Sequence, residues 1–265
     1  MNRLLTIPFS HFCEKARWAL QRFGVAFHEE PYLPLLHMAP VAFATRLGVD
    51  GRTDGASTRL STPVLVTAEG QRLCDSSLIV RWASDRHAPP GLDLYPTAEV
   101  ALLEARLGER LGPHVRRWVY GALFSREPLA RATVAANASP LQNTLFQVGY
   151  PVARAALVRA LGVTPARVER SLSVVRDEFA WVSELLASRP FLAGERFTAA
   201  DLAFAALAAP ALAITHEEGH PSRLPAASEL PPSAAAVVAE LRATRGGAHA
   251  LSLYATERAR VERDR

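Results

Sequence analysis

The stretch Phe197-Thr198-Ala199-Ala200-Asp201-Leu202 constrains this chain most, because it encodes a complete helix start deep in the sequence. Thr198 can cap the backbone N–H of Asp201 while Asp201 reaches back to the N–H of Thr198, and Phe197 can pack on Leu202 as a hydrophobic staple. The preceding Phe191-Leu192-Ala193-Gly194 supplies a turn glycine, and Leu202 to Ile214 is almost wholly apolar. Such a helix is hydrophobic all round and belongs at the centre of a helical domain. By itself the motif says "core helix" and nothing about chemistry.

At 265 residues the chain can bury a large core as one or two domains. Hydrophobic residues make up 49% and charged residues 21%, a globular composition. The most apolar stretch, Phe197 to Ile214, carries Asp201 and Pro210, so no membrane span is expected. The apolar run after Arg3 is short and interrupted by Pro8 and His11, which argues against a cleaved signal and for a cytoplasmic protein. Cys13 and Cys74 are too few for a disulfide framework and fit no metal-ligand spacing, so no metal is expected. The net charge of +4 comes from scattered arginines, with Lys15 the only lysine. No basic stripe interleaved with aromatics emerges, so nucleic acid is not expected, while small anionic ligands are modestly favoured.

Arg3 to Ile7 reads as a strand ended by Pro8, and Phe12, Ala16, Ala19, Leu20 and Phe23 recur on one helical face before Gly24. Ala26 to Tyr32 reads as a second strand, 48–61 as a polar loop, Pro63 to Thr67 and Arg72 to Cys74 as a hairpin, and Ser76 to Arg86 as a helix. This βαβ unit, hairpin and helix end at Ala88-Pro89-Pro90-Gly91, where a domain boundary is expected. The expected domains are 1–87 and 97–265, the second built of helices near 97–120, 140–162, 166–188, 198–215 and 233–245. Residues 216–232 and the tail beyond Ala255 are polar or proline-rich and are expected at the surface.

In this order the residues resemble a cytosolic glutathione transferase of the serine type. Four segments carry the resemblance: Ile7 to Leu20 at the first strand-to-helix turn, Ser61-Thr62-Pro63-Val64-Leu65, Leu73-Cys74-Asp75-Ser76-Ser77-Leu78-Ile79, and Phe191 to Leu202. The resemblance implies an α+β thioredoxin-like N-terminal domain followed by an all-α helical bundle. It implies conjugation of glutathione, as co-substrate, to small hydrophobic electrophiles by a homodimer. Glutathione-dependent peroxide reduction and a non-catalytic binding protein of the same fold are the alternatives.

The resemblance makes Ser10 the catalytic hydroxyl, placed where the free N–H groups of a helix start add the positive end of the dipole. A free thiol with pKa about 8.5 needs about 2.7 kcal/mol of thiolate stabilisation to lose two units, the size of one charged hydrogen bond with helix-end help. Ser10 acting as a plain helix cap is the bland alternative. With Ser10 in the first place of a Cys-x-x-Cys pattern, Cys13 lacks an attacking partner and reads as a packing residue, which argues against dithiol chemistry. His11 either lines the site or sits on an exposed loop.

The resemblance also makes Pro63 a cis proline, with Thr62 offering its backbone to the cysteinyl part of the tripeptide as an added strand. The ordinary alternative is a trans proline opening an edge strand. Asp75 and Ser76 suit the γ-glutamyl end of glutathione or form a simple N-cap pair. Ser61 stands where some family members place a lysine for the glycyl carboxylate. Arg59 is the assigned substitute, with Arg46 or His37 as others. His11, Phe12 and Tyr120 or Phe124 are expected around the electrophile.

Overall fold

A computed structural model describes residues 1–46, 48–50 and 60–259. Strand β1 (Asn2–Thr6) leads through the Pro8 turn into α1 (His11–Arg22), and β2 (Phe27–Pro31) returns parallel to β1. After α2 (Met38–Thr45), β3 (Val64–Val66) pairs antiparallel with β1 and β4 (Arg72–Leu73) pairs antiparallel with β3. The sheet order is β2-β1-β3-β4, and α3 (Ser76–His87) packs beside α1 on one face. The paired Leu4 and Leu65 belong to the cluster on that face and the paired Leu5 and Val64 to a second cluster, and all four are fully buried, so the sheet is covered on both faces. The βαβ unit, hairpin and helix read from the residues are present, and together they form the thioredoxin-like α+β unit that the resemblance implied.

The rest is helical: α4 (Ala98–Arg106), α5 (Gly112–Phe124), α6 (Glu127–Ala135), α7 (Pro140–Leu161), α8 (Pro165–Leu185), α9 (Ala199–Ala208), α10 (Pro232–Ala243) and α11 (Arg245–Leu253). The segment expected as one helix over 97–120 is two, joined by a π-helical turn at Leu107–Leu111 and continuing to Phe124. Helix α9 is buried along its whole length and stops before Pro210, which cannot extend the backbone ladder. It lies against α1, α4 and α11, so the helix read as central is central.

Asp201 does more than close its own helix. Its Oδ2 accepts from the Thr198 N–H at 3.0 Å and from the Thr198 hydroxyl at 2.8 Å, while Oδ1 accepts from the Leu192 N–H at 2.8 Å. His249 Nε2 on α11 approaches Oδ1 at 3.1 Å. One buried carboxylate therefore ties the 191–194 turn, α9 and α11 together.

Two expectations are corrected here. The 216–232 segment is not simply superficial: His220 and Ser222 are buried, and the Ser222 hydroxyl donates to the Pro8 carbonyl at 2.6 Å. Of the tail beyond Ala255, residues 260–265 lie outside the described residues, and Arg258 is not at the surface. Tyr254–Arg258 forms a π-helical turn, and Arg258, 1% exposed, donates from Nε to Glu14 Oε1 at 2.8 Å. Glu14 Oε2 meets Arg17 at 2.7 Å, and Arg17 in turn reaches Glu29 at 2.7 Å. Burial opposes the charge on Glu14, but Arg258 and Arg17 hold its carboxyl below the usual range. Polarity in the sequence marked charged residues that the fold buries in pairs.

The only lysine is spent on the same seam. Lys15 Nζ on α1 meets Glu104 on α4 at 2.8 Å and donates to Ser77 Oγ on α3 at 2.7 Å, with the Tyr95 hydroxyl donating to Glu104 at 2.8 Å. Among the described residues no helix is long and apolar enough to cross a membrane.

Candidate active site

Ser10 occupies the N-cap of α1 in extended backbone geometry, at φ −80° and ψ 122°. Its N–H donates to Ile7 O at 3.0 Å and its carbonyl accepts from Glu14 N–H at 2.9 Å, so the Ser10 backbone is bonded on both sides of the turn. The hydroxyl makes no capping hydrogen bond to the helix N–H groups. It lies beside the Cys13 thiol instead and, with Thr62, favours the thiolate there. Cys13 is fully buried, its sulfur accepts from the Ile7 N–H at 3.3 Å, and burial outweighs these contacts and pushes the thiol's pKa up. It is inert packing rather than a nucleophile.

The Thr62–Pro63 peptide bond is cis, and Pro63 is buried behind Thr62. Thr62 and Ser10 line one cavity of about 420 Å³. His11, Phe12, Tyr120 and Phe124 line it too, so four aromatic positions from α1 and α5 face the same space as the serine. His11 is buried, not on an exposed loop: its Nε2 lies 3.1 Å from Gly112 O. A carbonyl only accepts, so Nε2 carries the proton. Burial, helped by the charge of Arg116, depresses the His11 pKa to about 3, and the ring is neutral at pH 7. Gly112 permits this approach of α5 to α1, because a Cβ there would run into the Phe12 ring. Burial raises the Tyr120 pKa to about 12, which keeps its hydroxyl protonated.

Asp75 and Ser76 open α3 and are not part of the cavity wall. Asp75 Oδ1 accepts from the Ser77 N–H at 2.7 Å as an N-cap, and Ser76 is buried. Arg59 lies outside the described residues. Of the other cations considered for the glycyl carboxylate, His37 lines the cavity, whereas Arg46 stacks 3.6 Å over the Phe43 ring. Among the described residues no cluster of three metal-ligating side chains forms. Sequence reasoning missed Arg116, which lines the cavity from α5. Its signal was present, since Arg116, Tyr120 and Phe124 follow at steps of four and share one helix face.

A thioredoxin-like unit that presents a helix start and a cis-proline loop to a cleft walled by helices is the two-part architecture of one protein class, the glutathione S-transferase fold. The chain belongs to the glutathione S-transferase family: residues 9–86 match the model of its N-terminal domain and 165–240 that of its C-terminal domain. Solved structures of similar fold include a glutathione S-transferase from Rhodospirillum rubrum, 18% identical, covering 93% of this chain and 90% of that one at TM-score 0.54. Another, from Methylobacterium radiotolerans and in complex with glutathione sulfonate, is 21% identical over 94% of both chains at TM-score 0.52. A glutathione transferase from Phanerochaete chrysosporium with oxidized glutathione is 15% identical, covering 98% and 97% at TM-score 0.54. No curated protein matches the sequence.

Proposed function

We propose that the protein binds reduced glutathione and transfers it, as the thiolate, to a small hydrophobic electrophile held in the cavity between the sheet-bearing and helical parts. The observation that carries this reading is Ser10, whose hydroxyl is not consumed by capping and opens onto an apolar chamber. A hydroxyl has one proton to donate. The Cys13 thiol, kept neutral by burial, is a weak acceptor, and an incoming thiolate displaces it with a charge-assisted hydrogen bond. Thr62 offers backbone groups to the cysteinyl portion, Pro63 shapes that loop, and Asp75 and Ser76 take the γ-glutamyl end at the start of α3. Arg59 is assigned the glycyl carboxylate. No metal enters this scheme. The complexes of the Methylobacterium and Phanerochaete neighbours support a glutathione ligand for this fold. The functional division runs at 1–87 and 97–265, and the reaction is placed in the cytoplasm, as part of detoxification.

Calorimetric titration with reduced glutathione tests the reading directly. Absence of binding at millimolar ligand would leave a non-catalytic member of the fold. Ser10→Ala is expected to preserve the fold and bind glutathione nearly as well, while the bound thiol's pKa rises by about one to two units, the worth of one charged hydrogen bond. Thiolate absorbance followed against pH in both proteins decides it; superimposable curves would reduce Ser10 to a structural turn residue.

We also propose a homodimer in which the sheet-bearing part of one chain docks against the α4–α5 region of the other. Leu102 on α4 supports this, being 72% exposed among otherwise buried apolar neighbours such as Val100 and Leu103. Sedimentation equilibrium at micromolar concentration should show twice the chain mass for the wild type and the chain mass alone for Leu102→Glu. A monomeric wild type rules the dimer out.

A further inference from the structure

The cavity contains a charge that the glutathione scheme does not use. Several buried or half-buried arginines are matched to carboxylates, as Arg17 is to Glu14 and Glu29, Arg106 to Glu178 and Arg258 to Glu14, while Arg117, next to Arg116, donates to Leu161 O and Ser171 Oγ. Arg116 is different. Among the described residues no carboxylate acts on it, and its guanidinium stands over the Phe12 ring at 5.9 Å. Burial, and then the neighbouring Arg117, work against its charge. His11 and His37 share the wall, and burial holds both below the usual histidine range, so Arg116 is the one fixed positive charge among the described lining residues. A guanidinium in a partly apolar chamber is costly to leave without an anion.

Its surroundings define what that anion must be attached to. Tyr120, one turn further along α5, keeps a protonated hydroxyl beside Arg116 as a second donor. Beyond it the wall is apolar, formed by Phe124 of α5, Val134 of α6, and Phe146 and Leu157 of α7. We propose that the second ligand of this cavity is an organic carboxylate with an apolar body, its head group on Arg116 and Tyr120 and its body against Phe124, Val134, Phe146 and Leu157. This deepens the transferase reading of the cavity and rests on it: electrophiles carrying a carboxylate are then preferred over neutral ones of equal size. Planar, two-pronged donation from guanidinium to carboxylate gives the preference its geometry.

Octanoate and octan-1-ol, which share an apolar chain and differ in the head group, separate charge from hydrophobicity. In calorimetric titrations of the full chain, octanoate is expected to bind about ten- to a hundredfold more tightly than octan-1-ol. Arg116→Gln should erase that difference by weakening octanoate alone, and Arg116→Lys should keep part of it, while reduced glutathione binds all three proteins alike. Equal binding of acid and alcohol by the wild type overturns the proposal, as does failure of both to bind. A glutathione affinity that falls in Arg116→Gln would assign this arginine to the tripeptide and overturn it equally. Failure of glutathione to bind the wild type sinks the transferase reading, and the acid–alcohol comparison remains a separate result.

Discussion

Asp201→Ala is expected to lower the unfolding free energy by about 3–5 kcal/mol, because it strands several buried groups at once. The N–H groups of Leu192 and Thr198, the Thr198 hydroxyl and His249 all converge on a carboxylate with no solvent exposure. Each buried donor left without an acceptor costs about 1–3 kcal/mol. Thr198→Ala removes only one of these partners and should cost about 0.5–2 kcal/mol. Urea unfolding reads both values from the shift in midpoint at constant slope. The site lies away from the cavity, so folded Asp201→Ala should bind glutathione like the wild type. A loss below about 1 kcal/mol would mean that water replaces the carboxylate, and the proposed tie between the 191–194 turn, α9 and α11 would fail.

Arg258→Met should be comparably severe, at about 3–5 kcal/mol, since removing one partner of a buried ion pair leaves the other uncompensated. Glu14 is fully buried and would keep only Arg17, itself shared with Glu29. The double variant Glu14→Gln with Arg258→Met is expected to recover part of the loss, and additive losses would show that the two side chains are not coupled. The pH dependence has a definite sign. Glu14 has its folded-state pKa depressed, so the stability it contributes is present above the unfolded carboxylate range and is lost as pH falls through the lower folded value. Nearby His220 is depressed to about 4, mainly by burial, so between about pH 6.5 and 4 the unfolded chain binds a proton that the folded chain does not. Both groups make the wild type weaken as pH falls. Arg258→Met should lose stability at pH 7 more than at pH 4, where the unpaired Glu14 can be neutralised.

The strand-turn-helix at residues 2–22, the hairpin 64–73 and the α3 and α9 starts were all legible, because each depends on a local signal: a proline, a glycine turn, a cap or a period in the apolar residues. Helices α2, α6 and α11 were not. In α11 the pair Gly246-Gly247 argues against a helix, yet a Cβ on Gly246 would crowd Val182, Phe179 and Phe204, and one on Gly247 would strike the Leu241 backbone. Helix propensity gives way there to close packing, with Thr244 accepting from the Gly247 N–H at 2.9 Å to start the helix.

Local backbone geometry and the order of most strands and helices were therefore written in the sequence by itself, since caps, turns and hydrophobic periods act over a few residues. Which charges are buried, and what they face, was decided only by tertiary structure. Glu14 and Arg258 stand 244 positions apart, and His11 reaches Gly112 across 101. The same lone-looking arginine reads as a solvated charge in the sequence whether it ends up paired, as Arg258 does with Glu14, or in a partly apolar chamber with no carboxylate acting on it among the described residues, as Arg116 does. The cost or gain of a charge depends on the dielectric and partners around it, and only the packing of distant segments sets those.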